Sequence, residues 1–523
     1  MSLRARATLP DRFNAAEWFV GRHVRENRAD RTAVVSDEGT LDYAGLDEAV
    51  RHRAAALLQA GLHPGDRVAL LLPDGPELLS LFWGVLAAGG VAVPLNTLLG
   101  EDEISRILDD CDPRIVVADP ALADAHRLAR EGTVLWSPAE SADRAALVPP
   151  VTAYASTRRD GVAFFLYSSG TTGEPKGVVH LHHDMWVCCA TYGEQVLGIR
   201  PDDRCLSLAK LFFAYGLGNS GYFPAHEGAA TVLFAGRPTP AAMFEQVARH
   251  RPTLFFAVPT AYAQMLDAME RGEDADFSSV RLCVSAGESL PAPIFRRWLE
   301  RTGTEILDGI GSTEICHIFL SNRPGACAPG TTGRPVPGYD LRLADEDGRD
   351  VPAGQPGDLF VCGDSTMALY WNRHEETKRT LEGDWIRTGD KYLVDEDGNW
   401  RHAGRSDDML KVGGIWVSPV EVEATLVAHE AVLECAVVGE RNAEGLVKPA
   451  AFVVLKNGAT RASVEGAMGN SVDGIARELQ DFVKERLAPY KYPRHILFRD
   501  ALPKTATGKI RRFLLRQELE ANP

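Results

Sequence analysis

Cysteine is sparse and carries no pairing pattern: nine residues are spread over 523 positions, an odd total, with no Cys-x-x-Cys spacing. That argues against a disulfide frame and fits reduced thiols in a cytosol. Long apolar runs are missing as well. The most apolar helix candidate, residues 78–88, is too short to cross a bilayer and runs into Gly89-Gly90 and Pro94. The N-terminus, with Arg4, Arg6, Asp11 and Arg12 and no apolar core, lacks the build of a secretory signal. Positive charge is in deficit. A formal net charge of −16 argues against nucleic acid or an anionic membrane as the main partner, while leaving room for a local basic pocket. No repeat of solenoid period occurs. What remains is the composition of a soluble cytoplasmic enzyme, 45% hydrophobic and 24% charged, long enough for roughly two to four domains.

Periodicity places the framework. Residues 44–60 repeat apolar side chains at helical spacing, 67–72 form a short apolar run of strand length, and Pro76 is placed to open the next helix. Residues 115–118, 254–258 and 281–285 add short buried strands between helices. That alternation predicts an α/β class with largely parallel sheets. After about Gly333 the texture changes: residues 341–344, 357–361 and 400–403 are strands split by Asp/Gly turns, which predicts a small β-rich subdomain. Beyond Asp407 a compact α+β tail is expected. It has helices near 419–429 and 475–487, strands at 435–438 and 451–455, and a Gly/Ala/Ser-rich surface loop over 458–474.

The chemistry concentrates in one segment. Residues 162–166 read as a buried strand, and Tyr167-Ser168-Ser169-Gly170-Thr171-Thr172-Gly173-Glu174-Pro175-Lys176-Gly177 follows at once. Four Ser/Thr hydroxyls, three glycines and a lysine fall within eleven residues. Glycine lets a backbone turn tightly and aim bare N–H groups at an anion, and the hydroxyls and ammonium add donors. Such a loop suits nucleotide phosphates. It is not the phosphate loop of kinases and GTPases, which needs Gly, four residues, then Gly-Lys-Ser/Thr.

Four further segments follow in order: Asp308-Gly309-Ile310-Gly311-Ser312-Thr313-Glu314; Trp385-Ile386-Arg387-Thr388-Gly389-Asp390, with its aspartate at the end of an apolar segment; Gly404-Arg405-Ser406-Asp407-Asp408-Met409-Leu410-Lys411; and Pro503-Lys504-Thr505-Ala506-Thr507-Gly508-Lys509-Ile510. In type, order and approximate spacing, over nearly the whole chain, the five resemble the signatures of adenylate-forming enzymes: acyl- and aryl-CoA synthetases, peptide-synthetase adenylation domains and luciferases.

That resemblance implies ATP, Mg²⁺ and a thiol co-substrate, coenzyme A. A carboxylate acylates poorly until it has attacked the α-phosphorus of ATP and released pyrophosphate. The attack develops negative charge that Mg²⁺, an ammonium group and loop donors stabilise. The attacking acid is already ionised at neutral pH, so no general base is required. By resemblance, Ser168, Ser169, Gly170, Thr171, Thr172 and Gly173 cradle phosphates, with Lys176 lending its ammonium. Glu314 helps hold Mg²⁺ and Thr313 touches the α-phosphate. Gly287, Glu288, Ser289, Asp308 and Gly309 lie along the adenine, Asp390 accepts from both ribose hydroxyls, and Arg405 supports the ribose and phosphate side. Lys509 bridges the carboxylate and α-phosphate oxygens. The resemblance also implies a large part, 1–403, with two α/β layered sheets and a β subdomain. A hinge at 404–407, centred on Asp407, would join it to a small mobile α+β domain, 408–523. Gly413 and Gly414 would then face the active site in a second conformation and admit a pantetheine thiol.

Other patterns carry less. Gly216-Leu217-Gly218-Asn219-Ser220-Gly221 fits a dinucleotide fingerprint, but Thr239-Pro240 stands where an acid about twenty residues on is needed. His180, His182 and His183 lack matching Cys or acid spacing for a metal and are expected as polar residues leaving the phosphate loop. No Gly-x-Ser-x-Gly elbow occurs.

For the acid, the segment from Lys210 to Asn219 and the continuation Ile315-Cys316-His317-Ile318-Phe319-Leu320-Ser321-Asn322 resemble the benzoate-CoA ligase subgroup. Phe213, Ala214, Tyr215 and Ile310 suit the walls of a short apolar slot for a small aromatic acid. His317 either reaches the polar edge of the ring or is a satisfied histidine beneath the loop. The acceptor is coenzyme A or, in the alternative reading, a carrier-protein phosphopantetheine; oligomeric state is not legible. Under this resemblance Lys509→Ala abolishes pyrophosphate release while sparing acyl transfer from supplied acyl-adenylate. Separate assays of the two half-reactions check this, and equal loss of both removes the role.

Overall fold

The computed structural model describes residues 9–123, 130–169, 175–405, 408–412, 415–441, 447–456, 472–504 and 510–521. Among them, two large sheets share one core. The first runs Leu369–Tyr370, Pro175–Leu181, Val162–Ser169, Val91–Pro94, Arg67–Leu71, Ile115–Ala118, Val134–Trp136. Its last five strands are parallel. Pro175–Leu181 instead folds back antiparallel on Val162–Ser169, pairing Ser168 with Lys176 and Phe164 with His180. The described ends of the phosphate-loop motif, Tyr167 to Ser169 and Pro175 to Gly177, therefore lie on two antiparallel arms at the edge of a parallel sheet.

The second sheet has six adjacent parallel strands, Thr32–Ser36, Ala230–Val232, Arg204–Ser207, Leu254–Ala257, Leu282–Ser285 and Ile306–Gly311. Side-chain alternation explains why each strand reads as a continuous apolar run. Val68 and Leu70 enter the core between the sheets, while Ala69 and Leu71 pack on the opposite face. Leu254 and Phe256 join the shared core, and Phe255 and Ala257 a second cluster beneath outer helices. Strands buried on both faces need no polar residues. The helix Pro76–Ala87, with proline in its first turn, lies within the shared core, where Trp83 stacks on Phe19 at 5.4 Å. The α/β reading with largely parallel sheets holds.

The β subdomain follows, from Asp340–Ala344, Gly357–Cys362, Leu381–Glu382, Trp385–Val394 and Trp400–Arg405. Here the sequence expectation needs correcting. Asp390 does not end an apolar segment; it sits inside the ten-residue strand Trp385–Val394. Thr388, Gly389 and the bulge after Lys391 interrupt the apolar alternation that would have shown the strand's length. Trp400–Arg405 pairs Asp390 with Arg405, so the sheet continues past the boundary expected at 403 and takes in Gly404 and Arg405. Asp407 lies outside the described residues.

The C-terminal part is α+β. Val432–Arg441, Val447–Leu455 and His495–Phe498 form a three-stranded sheet, with the helices Pro419–Val427, Val472–Lys484 and Arg512–Ala521. Its two faces carry separate apolar clusters. The expected loop over 458–474 falls outside the described residues up to 471, and Val472 to Gly474 already belong to the helix. Among the described residues, no helix is long and apolar enough to cross a membrane.

Candidate active site

A cleft of about 2220 Å³ opens between the ends of the two sheets, the β subdomain and the C-terminal part. It exceeds an ordinary small-molecule pocket of roughly 300–1,000 Å³, which suits more than one reactant. Ser168 and Lys176 line it from the hairpin, Gly287 to Ser289 and Asp308 to Glu314 from the second sheet, and Thr388 to Asp390, His402 and Arg405 from the β subdomain. The C-terminal part adds Lys504, Ile510 and Arg511. Four of the five sequence segments thus contribute described residues to one cavity, and Arg405 brings in the fifth. Gly170, Thr171, Thr172, Gly173, Asp407, Gly413, Gly414 and Lys509 lie outside the described residues. Ser169 ends the strand that carries Ser168.

Lys176 is engaged within the protein: Nζ pairs with Glu376 at 2.6 Å and lies 5.4 Å from the Tyr370 ring centre. Thr313 and Glu314 open a single helical turn, Thr313–Ile315, directly after the strand Ile306–Gly311. Tyr370 donates to Glu314 Oε1 at 2.8 Å. Oxygen ligands suit a hard dication, and this carboxylate keeps a second oxygen beyond the one Tyr370 holds, so the residues fit an Mg²⁺ ion shared with nucleotide phosphates.

Asp308 is buried at the base of the cleft. Burial pushes its carboxyl well above the usual carboxylate range, against hydrogen bonds from the Leu290 and Gly309 backbones and Ser285. Gly309 pairs with Ser321 in the adjacent antiparallel ladder. Glu288 accepts the Ile510 N–H at 3.0 Å across 222 residues of chain, a bond that joins the two parts. Ser289 Oγ meets His402 Nδ1 at 2.9 Å. Asp390 has Arg405 and His402 each 3.6 Å from Oδ1. Gly389 makes this possible: its φ is +78°, and a Cβ there would lie 2.9 Å from the Arg405 guanidinium.

Phe213 and Ile310 line the cleft. Ala214 and Tyr215 are half-buried and pack against the main core, and Tyr215 OH donates towards the Ala257 and Val284 carbonyls at 3.3 Å. His317 stands behind them, 2% exposed, with Nε2 donating to the Tyr215 carbonyl at 3.3 Å. Burial pushes its pKa down to about 3, so the ring is neutral. Of the two roles open to it, this geometry places it beneath the loop. A Cβ on Gly218 would lie 2.3 Å from His317 Cδ2, so the fingerprint-like glycines serve helix packing at this wall: Gly218–Tyr222 is a buried helical turn and no phosphate cradle.

Family comparison agrees with this arrangement. Residues 21–371 match the AMP-binding enzyme family and residues 421–509 its C-terminal domain. The chain belongs to the AMP-binding enzymes. It is 47% identical to a benzoate–CoA ligase of Thauera aromatica, over 97% of this chain and 96% of that protein. It is also 43% identical to a 4-hydroxybenzoate–CoA/benzoate–CoA ligase of Rhodopseudomonas palustris, over 97% and 94%. Among solved structures, an anthranilate CoA ligase, AuaEII, in complex with anthranoyl-AMP superposes with a TM-score of 0.93 at 40% identity, covering 99% of each chain.

Two contacts behind this cleft were not legible in the sequence, one from Lys210 within the segment already singled out and one from Asp74, which carried no signal. Lys210 Nζ donates to the Phe234 carbonyl and, at 3.0 Å, to that of Gly236. Asp74, from the turn before Pro76, accepts the Leu211 N–H at 3.1 Å. Together they fix the start of the segment that carries Phe213. Asp74 is buried, and burial pushes its carboxyl up to about 6 against the pull of Lys210. The sign follows: a raised folded-state pKa costs nothing below the ordinary 3.8, and stability is lost as pH climbs through 6. That loss amounts to about 3 kcal/mol at higher pH. Asp74→Asn keeps the acceptor and removes the charge. Its Tm is expected above wild type at pH 8 and level with it at pH 4; an equal drop at both would show that burial of this charge carries no cost.

Proposed function

We propose that the chain is an ATP-dependent, AMP-forming ligase that adenylates benzoate or a substituted benzoate and transfers the acyl group to coenzyme A. The observation that carries this is the 47% identity to a benzoate–CoA ligase sustained over 97% of the chain. The cleft supports it, because the five motifs meet there beside an apolar wall.

In this reading the hairpin tip holds the triphosphate, Thr313 meets the α-phosphate, and Asp390 takes the ribose hydroxyls with Arg405 beside it. Asp308, Gly309 and the strip Gly287 to Ser289 border the adenine. Phe213, Ala214, Tyr215 and Ile310 wall the aromatic ring, with neutral His317 supporting Tyr215 from behind. Glu314 would hold Mg²⁺, which supplies charge neutralisation at the phosphates when bound. The acid needs no base, being ionised already. Lys509 brings an ammonium to the developing charge; its chain neighbour Ile510 already reaches Glu288 in the cleft. Division at 403–408 makes the C-terminal part a lid that exchanges Lys509 for Gly413 and Gly414 between half-reactions. The thiols, all free, fit a reducing compartment, and we place the reaction in the cytoplasm.

Pyrophosphate release with MgATP across benzoates, cinnamates and fatty acids, with and without CoA, tests the proposal. Turnover confined to benzoates and dependent on CoA is expected. Benzoate-driven release that CoA does not accelerate would point to a carrier-protein acceptor. Release with fatty acids alone would overturn the aromatic assignment.

A further inference from the structure

Three histidines leave the hairpin in succession, and their surroundings differ. His182 is enclosed with Nδ1 facing the Ala15 N–H at 3.3 Å. It is a neutral acceptor, its pKa pushed down to about 3 by burial. His180 is enclosed as completely but meets only acceptors. Nδ1 lies 2.7 Å from Asp184 Oδ2, and Nε2 lies 2.7 Å from the Thr313 carbonyl oxygen.

A neutral imidazole has one N–H. Beside an ionised Asp184 it would satisfy one of these oxygens and press a lone pair against the other at hydrogen-bond distance. With both nitrogens protonated, both contacts become charge-assisted hydrogen bonds and Asp184 supplies the counter-charge. Asp184 also takes the Leu181 N–H at 3.0 Å, and neither its side chain nor that of His180 is exposed. The other charged and titratable groups are accounted for. His183 Nε2 is 3.2 Å from Asp184 Oδ1, and its Nδ1 is 3.7 Å from Asp160. The His183 nitrogens also face the Arg159 and Asp364 carbonyls at 3.0 Å. From the turn side, Glu314 bonds Tyr370 and burial keeps the Cys316 thiol protonated. Phe164 covers the ring face, stacked at 5.0 Å and 21°.

We propose that His180 is a positioning residue, an imidazolium paired with Asp184 that grips the Thr313 carbonyl and holds Thr313 and Glu314 in register with the phosphate-loop hairpin. This rests on the reading of that turn as the phosphate and metal side of the nucleotide site. The hairpin carries Lys176 four residues before His180, so one rigid strand spans both.

The test compares His180→Phe and His180→Gln in the full-length enzyme. Phe keeps the ring's shape and no donor; Gln keeps an N–H for Thr313. Phe is expected to lower kcat for pyrophosphate release by about 10- to 100-fold, with KM for the aromatic acid changed less than about 3-fold. Gln is expected to recover at least a fifth of the wild-type rate. Equal loss in both variants would overturn the proposal. Should Phe fail to fold, ¹⁵N-histidine-labelled wild type decides: the signals missing from the Gln variant belong to His180. Protons on both its ring nitrogens are expected at about pH 8, where a free imidazole is neutral, and one bare nitrogen would overturn the proposal. Glu314→Gln run in parallel separates the underlying reading. If it leaves pyrophosphate release unchanged, the assignment of the turn fails, while the nitrogen signals still decide the state of His180.

Discussion

The Thr313–Ile315 turn is held from several directions, and the cleft owes its shape to that grip. His180 takes the Thr313 carbonyl from the hairpin of the first sheet. The Met367 N–H donates to the Glu314 carbonyl at 2.7 Å, and Ser365 Oγ to that of Ile315 at 2.9 Å. Tyr370 holds the Glu314 carboxylate. The turn grows out of the second sheet, so every one of these bonds crosses from a different structural unit. Each is worth only about 1 kcal/mol net, but a buried carbonyl left unpaired would cost more than that. The two sheets and the segment Asp364–Tyr370 therefore cannot shift independently around this turn.

Burial decides which ionisable groups in this region keep their charge. Asp74, Asp308 and His317 sit where water is excluded, and each is pushed towards its neutral form. Lys176 and Arg405 keep partners at the cleft edge, Glu376 and Asp390. Under the proposed function the division has a chemical sense: an apolar floor with few fixed charges would favour a flat acid, while an ionic rim would receive the phosphates. His317 shows how the two meet. Neutral, it supports the wall at Tyr215 without placing a charge behind the aromatic ring.

Much of this was legible locally. Strands such as Arg67–Leu71 and Leu254–Ala257 are buried on both faces, so their composition alone reveals them, and Pro76 marks its helix start by fixing φ. The motif segments read as one site because each keeps its chemistry within a few residues. What failed to show depends on distance or on interruption. The strand Trp385–Val394 is broken in pattern by Thr388 and by Gly389, which makes room for Arg405. The bond between Glu288 and Ile510 did not show because nothing near Glu288 in sequence reveals that partner. His180 looked like a polar residue on an exit segment, since both its partners are set by the fold: a helix N-terminus four residues on and a carbonyl 133 residues away.

The junction with the C-terminal part is built differently from the turn. At this junction Glu288 accepts the Ile510 N–H, and Val427 of the C-terminal part packs against the second apolar cluster of the large part. The small part keeps its own three-stranded sheet and two apolar clusters, with Leu479 and Val483 inside one and Leu515 inside the other. A unit that buries its own core keeps its fold when its contacts along a cleft of mixed charged and apolar side chains change. The contrast follows from the chemistry each region serves. In the proposed function the turn would have to hold position beneath the phosphates to fractions of an ångström, whereas a part that would present different residues to two successive half-reactions needs contacts that water can replace.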